Sequence, residues 1–240
     1  MPTLLLQCVA PLQSWDTQSR FGVRATGREP SKSGVVGLLC AALGRPRTEP
    51  VDDLATLRMG VRVDKEGQIL RDWHTAGKGG YLKASGSVER KNLITSTRYY
   101  LSDAAFLVGL ESDDLPLLKQ LHAALSNPHW MLFLGRKACP PSLPPYLADG
   151  LKEESGLLNV LAAYPWLGRN QKQYDSLIQV RVVLEDDAGS QVFHDHPISF
   201  EKGNRQFAPR RASTTFIEKP PFHQVPGTSE VPGTLSKEEN

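Results

Sequence analysis

The apolar positions of this 240-residue chain follow two rhythms, one of period two and one of helical spacing. Residues 3–9 (TLLLQCV) form a short apolar run closed by Pro11, which predicts a buried strand. Val35, Leu38, Leu39 and Leu43 recur at helical spacing over 34–43, and Gly44 stands where a helix stops. Residues 58–64 alternate, with Val61 and Val63 on one face, and the turn Lys65-Glu66-Gly67-Gln68 predicts a hairpin return into 69–74. Strands are expected near 93–101 and 104–110. An amphipathic helix follows from about Asp114 to Leu125, carrying Leu117, Leu118, Leu121 and Leu125. The apolar run Trp130–Leu134 reads as a further strand, ending at Gly135-Arg136-Lys137.

With its insertion set aside, the order is β-α-β-β-α-β, the ferredoxin-like split βαβ arrangement of an α+β fold. The strands are expected near 3–9, 58–64, 104–110 and 130–134. A β-hairpin insertion of about 68–101 lies between the second and third strands. Its tip, 77–92, carries four glycines, five charges and almost no apolar residues, which predicts a projecting loop. The body thus occupies 1–140, and proline punctuates 140–145. A smaller β-rich part spans 141–222, with a hairpin built from 177–185 and 191–200 around Asp186-Asp187-Ala188-Gly189. Residues 223–240 repeat Val-Pro-Gly-Thr without apolar periodicity, and a disordered tail is expected there.

Composition narrows the classes. Hydrophobic residues make up 40% and charged residues 22%, ordinary for a globular protein, and the formal net charge is only +2. Any nucleic-acid binding must therefore come from local patches. The three cysteines, Cys8, Cys40 and Cys139, are odd in number and lack metal-ligand spacing, which fits a reducing cytosol. Leu4-Leu5-Leu6 lacks a basic flank, and no segment approaches the roughly 18 to 20 apolar residues that span a bilayer. A cytoplasmic protein without membrane contact is expected.

Ser31-Lys32-Ser33-Gly34 at the start of the first helix is the most informative chemistry. A helix start leaves N–H groups unpaired and carries partial positive charge, which suits a phosphate. Two hydroxyls, an ammonium and a glycine open to close approach would add to it. A plain N-cap explains one serine equally well, and physics alone leaves both readings open. Arg20, Arg24, Arg28 and Lys32 stand just ahead, against Glu29 alone. A solvated face is the ordinary reading of such a run, but it would also supply a salt-sensitive positive field. Arg136 and Lys137 are expected either in a solvated turn or beside this helix start. Arg98, Tyr99 and Tyr100 offer cation and stacking groups for bases.

Catalytic candidates are thin. His74, Lys78 and Tyr81 could form a metal-independent ribonuclease set, but they lie in the glycine-rich stretch and read as surface residues. His194-Asp195-His196 offers too few ligands for a metal, so neither metal nor cofactor is expected. No Walker loop, G-x-S-x-G, HExxH or CxxC pair occurs.

The stretch LLLQCVAPLQSWDTQSRFGVRATGREPSKSGVVGLLCAALGR resembles the Cas-five-type family of the RAMP superfamily, in its subtype I-E Cascade form. The carriers are the strand ending in PLQSW, the arginine-bearing loop, PSKSGVVGLL, and FLGRK at 133–137. The resemblance is specific over the first fifty residues and weak in the last hundred. It implies an RRM-like RAMP body with an inserted β-hairpin thumb and no enzymatic activity. Such subunits hold the 5′ handle of the crRNA, cap a Cas-seven-type backbone, and touch the large subunit that recognises the protospacer-adjacent motif; target DNA is met through the complex. Carried onto this chain, Ser31, Lys32, Ser33 and Gly34 become handle contacts, with Arg20, Arg24, Arg28, Arg136 and Lys137 in support. The family also supplies a rival: in subtype I-C the corresponding subunit cuts crRNA with a His/Lys/Tyr set. A general single-strand RNA-binding module is a third reading.

Overall fold

The computed structural model describes residues 1–16, 22–83, 85–90, 92–153 and 156–222. In chain order the elements are β1 (Thr3–Val9), β2 (Leu12–Gln13), β3 (Val23–Arg24), α1 (Lys32–Leu43), α2 (Asp52–Ala55), β4 (Arg58–Lys65), β5 (Gln68–Ala76), β6 (Tyr81–Leu82), β7 (Val88–Glu89), β8 (Ile94–Ser102) and β9 (Ala105–Glu111). Then follow α3 (Leu115–Ser126), β10 (Tyr146–Lys152), α4 (Leu157–Ala163), α5 (Gln171–Asp175), β11 (Gln179–Glu185), β12 (Gln191–Ser199) and β13 (Gln206–Glu218). The expected tail, 223–240, lies outside the described residues, as does Arg20.

Among the described residues, seven strands form one sheet in the order β10-β1-β9-β4-β11-β13-β12, every neighbour antiparallel. Its first four strands, with α1 and α3, have the β-α-β-β-α-β sequence of elements. Both faces are covered. Leu4, Leu6 and Cys8 of β1 face the main core under α1 and α3, whereas Leu5 joins Leu157, Val160 and Leu161 of α4 on the other side. The alternation of β1 therefore serves two cores, which is why it reads as a continuous apolar run.

The fourth strand is not Trp130–Leu134. That segment is irregular; the strand beside β1 is β10, whose sequence YLADGLK gave no apolar run. Leu132 and Leu134 are buried, but Trp130 and Met131 face solvent, and the backbone docks on the C-terminal end of α1. The expected hairpin between 58–64 and 69–74 is also absent. Both edges of β4 are taken, by β9 and β11, so β5 cannot return along it. Instead β5 pairs with β8 over its whole length, from Gln68↔Ser102 to Ala76↔Ile94. That ladder is the inserted hairpin, and its base joins β2 and β3 in a separate sheet.

β13 was hidden in sequence by its arginines and Pro209. It lies between β11 and β12. Proline has no N–H for the ladder, and the β12–β13 register slips there: Phe193 faces Arg210 and His196 faces Ala208, leaving His194 and Asp195 against the single Pro209.

Candidate nucleic-acid interface

The bulge opposite Pro209 brings Asp195 to the start of α1, where its carboxylate accepts from the Lys32 backbone N–H at 2.7 Å. Arg210 donates to the same carboxylate at 2.7 and 3.0 Å. The Lys32 ammonium turns inward to Glu185, with Nζ–O distances of 2.7 and 2.9 Å, and is 1% exposed. Burial holds the Lys32 pKa below its ordinary value, against the pull of Glu185. Lys32 was expected in the ligand site; its charge is instead spent inside the protein, fastening α1 to β11 and β12.

The two serines and the glycine behave differently. Ser31 caps α1, its Oγ accepting from the Gly34 N–H at 3.3 Å. Ser31, Ser33 and Gly34 then line an open groove of about 790 Å³. Gly34 is required by the protein's own side chain: a Cβ there would meet the Trp15 ring at 2.9 Å. Trp15 is buried and donates to Gln13, which donates in turn to the carbonyls of Cys8 and Ala104. The PLQSW motif thus sets one wall of the groove.

The second wall comes from residues 135–138. Gly135 has φ +91, and a Cβ there would lie 1.7 Å from the Ser14 carbonyl oxygen. Ser14 N–H donates to the Leu134 carbonyl at 3.1 Å, so the two loops touch backbone to backbone. Next to this contact, Arg136 donates to the carbonyls of Tyr99 (3.0 Å) and Ala25 (2.9 Å) and lies 5.0 Å from the Tyr100 ring centroid. Tyr100 is buried beneath it rather than free for a base. Arg136 locks the groove's two sides together while its charge remains at the surface.

The third wall is the base of the inserted hairpin. Arg24 of β3 and Arg98 of β8 are register partners on parallel strands and both line the groove. On its other side Arg98 has Asp72 of β5 as its register partner. Arg205 and Phe207, at the start of β13, close the fourth side, with the guanidinium 4.9 Å from the ring centroid. The pKa of Arg205 is lowered, first by loss of solvent and then by the charge of Arg47, against the pull of Asp16. Among the described residues, five cationic side chains, Arg24, Arg98, Arg136, Lys137 and Arg205, thus line the groove with one carboxylate, Asp16.

Of the residues singled out in sequence, the groove gathers Ser31, Ser33, Gly34, Arg24, Arg98, Arg136 and Lys137. Arg28 is exposed and does not line it. Trp15, Arg205 and Phe207 were not among the expected site residues; the last two reach the groove only through the strand path that brings the start of β13 beside α1. His74 is an exposed residue of β5 beside Asp72, 3.8 Å away, and among the described residues no hydrogen bond joins it to Lys78 or Tyr81. Among the described residues there is no cluster of three metal-ligating side chains, and no helix is long and apolar enough to cross a membrane.

Comparison with known proteins agrees in kind. A family model described as CRISPR-associated protein (Cas_Cas5) matches residues 3–213. The Cascade subunit CasD of Escherichia coli (strain K12) is 32% identical over 157 residues, covering 60% of this chain and 69% of that protein. A crystal structure of a Cas protein, 44% identical, superposes with a TM-score of 0.73 over 92% of this chain and 98% of that one. A chain of a CRISPR RNA-guided surveillance complex, 30% identical, gives 0.75 over 90% of each.

Proposed function

The chain belongs to the CRISPR-associated Cas5 family, and on that premise we propose that it is the non-catalytic crRNA-binding subunit of a type I-E Cascade complex in antiviral defence. It holds the 5′ handle of the crRNA and caps a Cas-seven-type backbone beside the large subunit that reads the protospacer-adjacent motif. The body is RRM-like, 68–101 is its thumb, and the C-terminal part beyond 140 completes the RNA groove.

The observation that carries this reading is the excess of cations in a groove on a protein of net charge +2. Arg24 and Arg98 stand side by side on β3 and β8, and a phosphodiester between them would make two charge-assisted contacts. The α1 start contributes Ser31 and Ser33, but its first N–H is already capped by Asp195, so the cations rather than the helix end do most of the holding. An RNA subunit of this kind needs shape and backbone charge, and no cut of its own.

The test is to purify the protein with its complex and sequence the RNA that comes with it. Repeat-derived 5′ ends are expected, and a random sample of transcripts would overturn the handle reading. Incubation of the purified chain with its repeat RNA in EDTA should leave the RNA whole. Specific cleavage abolished by His74→Ala would establish the ribonuclease alternative.

A further inference from the structure

The cationic groove continues past Ser33 and Gly34 into a second arm of about 640 Å³ whose lining is largely apolar. Both arms share Ser33, Gly34, Gly135, Lys137 and Arg205, so no wall separates them. The floor of the second arm is the face of α1 at Gly37, Leu38 and Ala41. A Cβ at Gly37 would meet nothing within 4 Å, which leaves a flat, open surface over the helix.

Trp130, Met131 and Phe133 rise beside this floor. Trp130 is 45% exposed and Met131 76%, an unusual investment for large apolar side chains at adjacent positions. They are not held loosely. The N–H groups of His129 and Trp130 donate to the Ala42 and Ala41 carbonyls at 2.9 and 3.1 Å, capping the end of α1. The His129 ring meets the indole edge-on, centroids 5.3 Å apart. The indole is therefore pre-positioned at the surface by a backbone with no freedom to withdraw it. At the mouth of the arm stand Arg47 and Arg205, and the charge of Arg47 disfavours that of Arg205.

We propose that this arm is a nucleobase pocket: a base unstacked from the RNA strand lies over α1 against Trp130 and Phe133, and the adjoining phosphate sits between Arg47 and Arg205. The inference rests on the RNA reading of the first arm. A planar ring fits a glycine- and alanine-rich floor with an aromatic wall, and base stacking on aromatic side chains is how single strands are gripped when their phosphates are already engaged. The positive mouth and the unbroken passage from the cationic arm favour the same strand over a separate protein segment.

The experiment uses the full chain carrying Trp73→Phe, which leaves Trp130 as the exposed tryptophan, since Trp15 and Trp166 are buried. Fluorescein-labelled oligoadenylate and oligouridylate of about eight nucleotides serve as probes. RNA should quench tryptophan emission, and Trp130→Ala should abolish the quenching and weaken binding about 10-fold. The slope of log K against log salt should stay the same, because no phosphate contact is lost. Trp130→Phe, which keeps an apolar ring over the same backbone, should restore most of the affinity and guards against a folding defect. Unchanged affinity in Trp130→Ala would overturn the pocket alone. Absence of any salt-dependent RNA binding by the parent would overturn the RNA reading and the pocket together. Normal RNA binding by Trp130→Ala with loss of co-purifying protein subunits would make the arm a protein-docking site and overturn the proposal.

Discussion

Two positively charged regions meet at the start of α1, and their charge accounts are opposite. Inside, Lys32 and Arg210 each have a carboxylate within 2.7 Å, from Glu185 and Asp195. Outside, the described lining of the groove carries five cations and one carboxylate, Asp16. Lys32 and Ser33 are adjacent in the chain, yet one belongs to the fold and the other to the surface that a ligand would meet. A basic residue is thus informative about function only once its counter-charge is known. Buried cations with partners hold the C-terminal strands to the body, and the groove cations stand where solvent reaches them.

The largest expected effect lies on the inner side. Asp195→Ala removes the carboxylate that holds Arg210 and the first N–H of α1. Leaving that guanidinium buried and unpaired should cost about 3–5 kcal/mol, read as a drop in the urea midpoint with the slope unchanged. A loss under about 1 kcal/mol would mean that the inner region is no more fold-bearing than the outer one, and the contrast would fail.

The groove gives the converse. Arg24→Ala with Arg98→Ala should leave stability within about 0.5 kcal/mol, since both side chains line the open groove rather than the core. RNA affinity should fall for every sequence alike, and the salt slope should decrease by about one for each arginine that met a phosphate. A salt slope unchanged by both substitutions would take these arginines out of the RNA interface. Stability loss comparable to that of Asp195→Ala would make them structural.

How much of this was legible in the sequence follows from the range of each interaction. α1, α3 and the strands β1, β4 and β9 announce themselves because local periodicity matches their burial. β10 does not, because it is the edge strand of the sheet and its exposed Ala148 and Asp149 break the apolar run. The pairing of β5 with β8 rather than β4 depends on both edges of β4 being filled, one of them by β11 about 120 residues away. The same holds for the site. Arg24, Arg98, Arg136 and Lys137 were visible as cations, but the inward turn of Lys32 was not, since Glu185 lies 153 residues further on. Gly34 looked like an opening for a ligand and proved to be room for Trp15. Arg205 was visible only as one of a basic cluster with Lys202, Arg210 and Arg211, and Phe207 carried no local signal, because only the strand path of β13 returns them to α1.

The finest distinction between the two regions is their response to acid. His196 stands near Lys32, Glu185, Asp195 and Arg210, and its pKa is lowered, first by burial and then by Lys32, with the two carboxylates pulling the other way. In the unfolded chain the imidazole takes a proton near its ordinary value of 6.5, before the folded chain does. Stability should therefore be unaffected by this group above that pH and fall as the pH drops through the window beneath it. His196→Gln should flatten that part of the stability curve between about pH 7 and 5 while leaving the later, carboxylate-driven loss in place. His196 does not line the groove, so RNA affinity of the folded protein should stay level where stability declines. Equal acid sensitivity of the variant and the parent would show that the inner cluster tolerates a charged imidazole. A parallel fall in RNA affinity would show that the two regions, adjacent along α1, are coupled rather than merely neighbours.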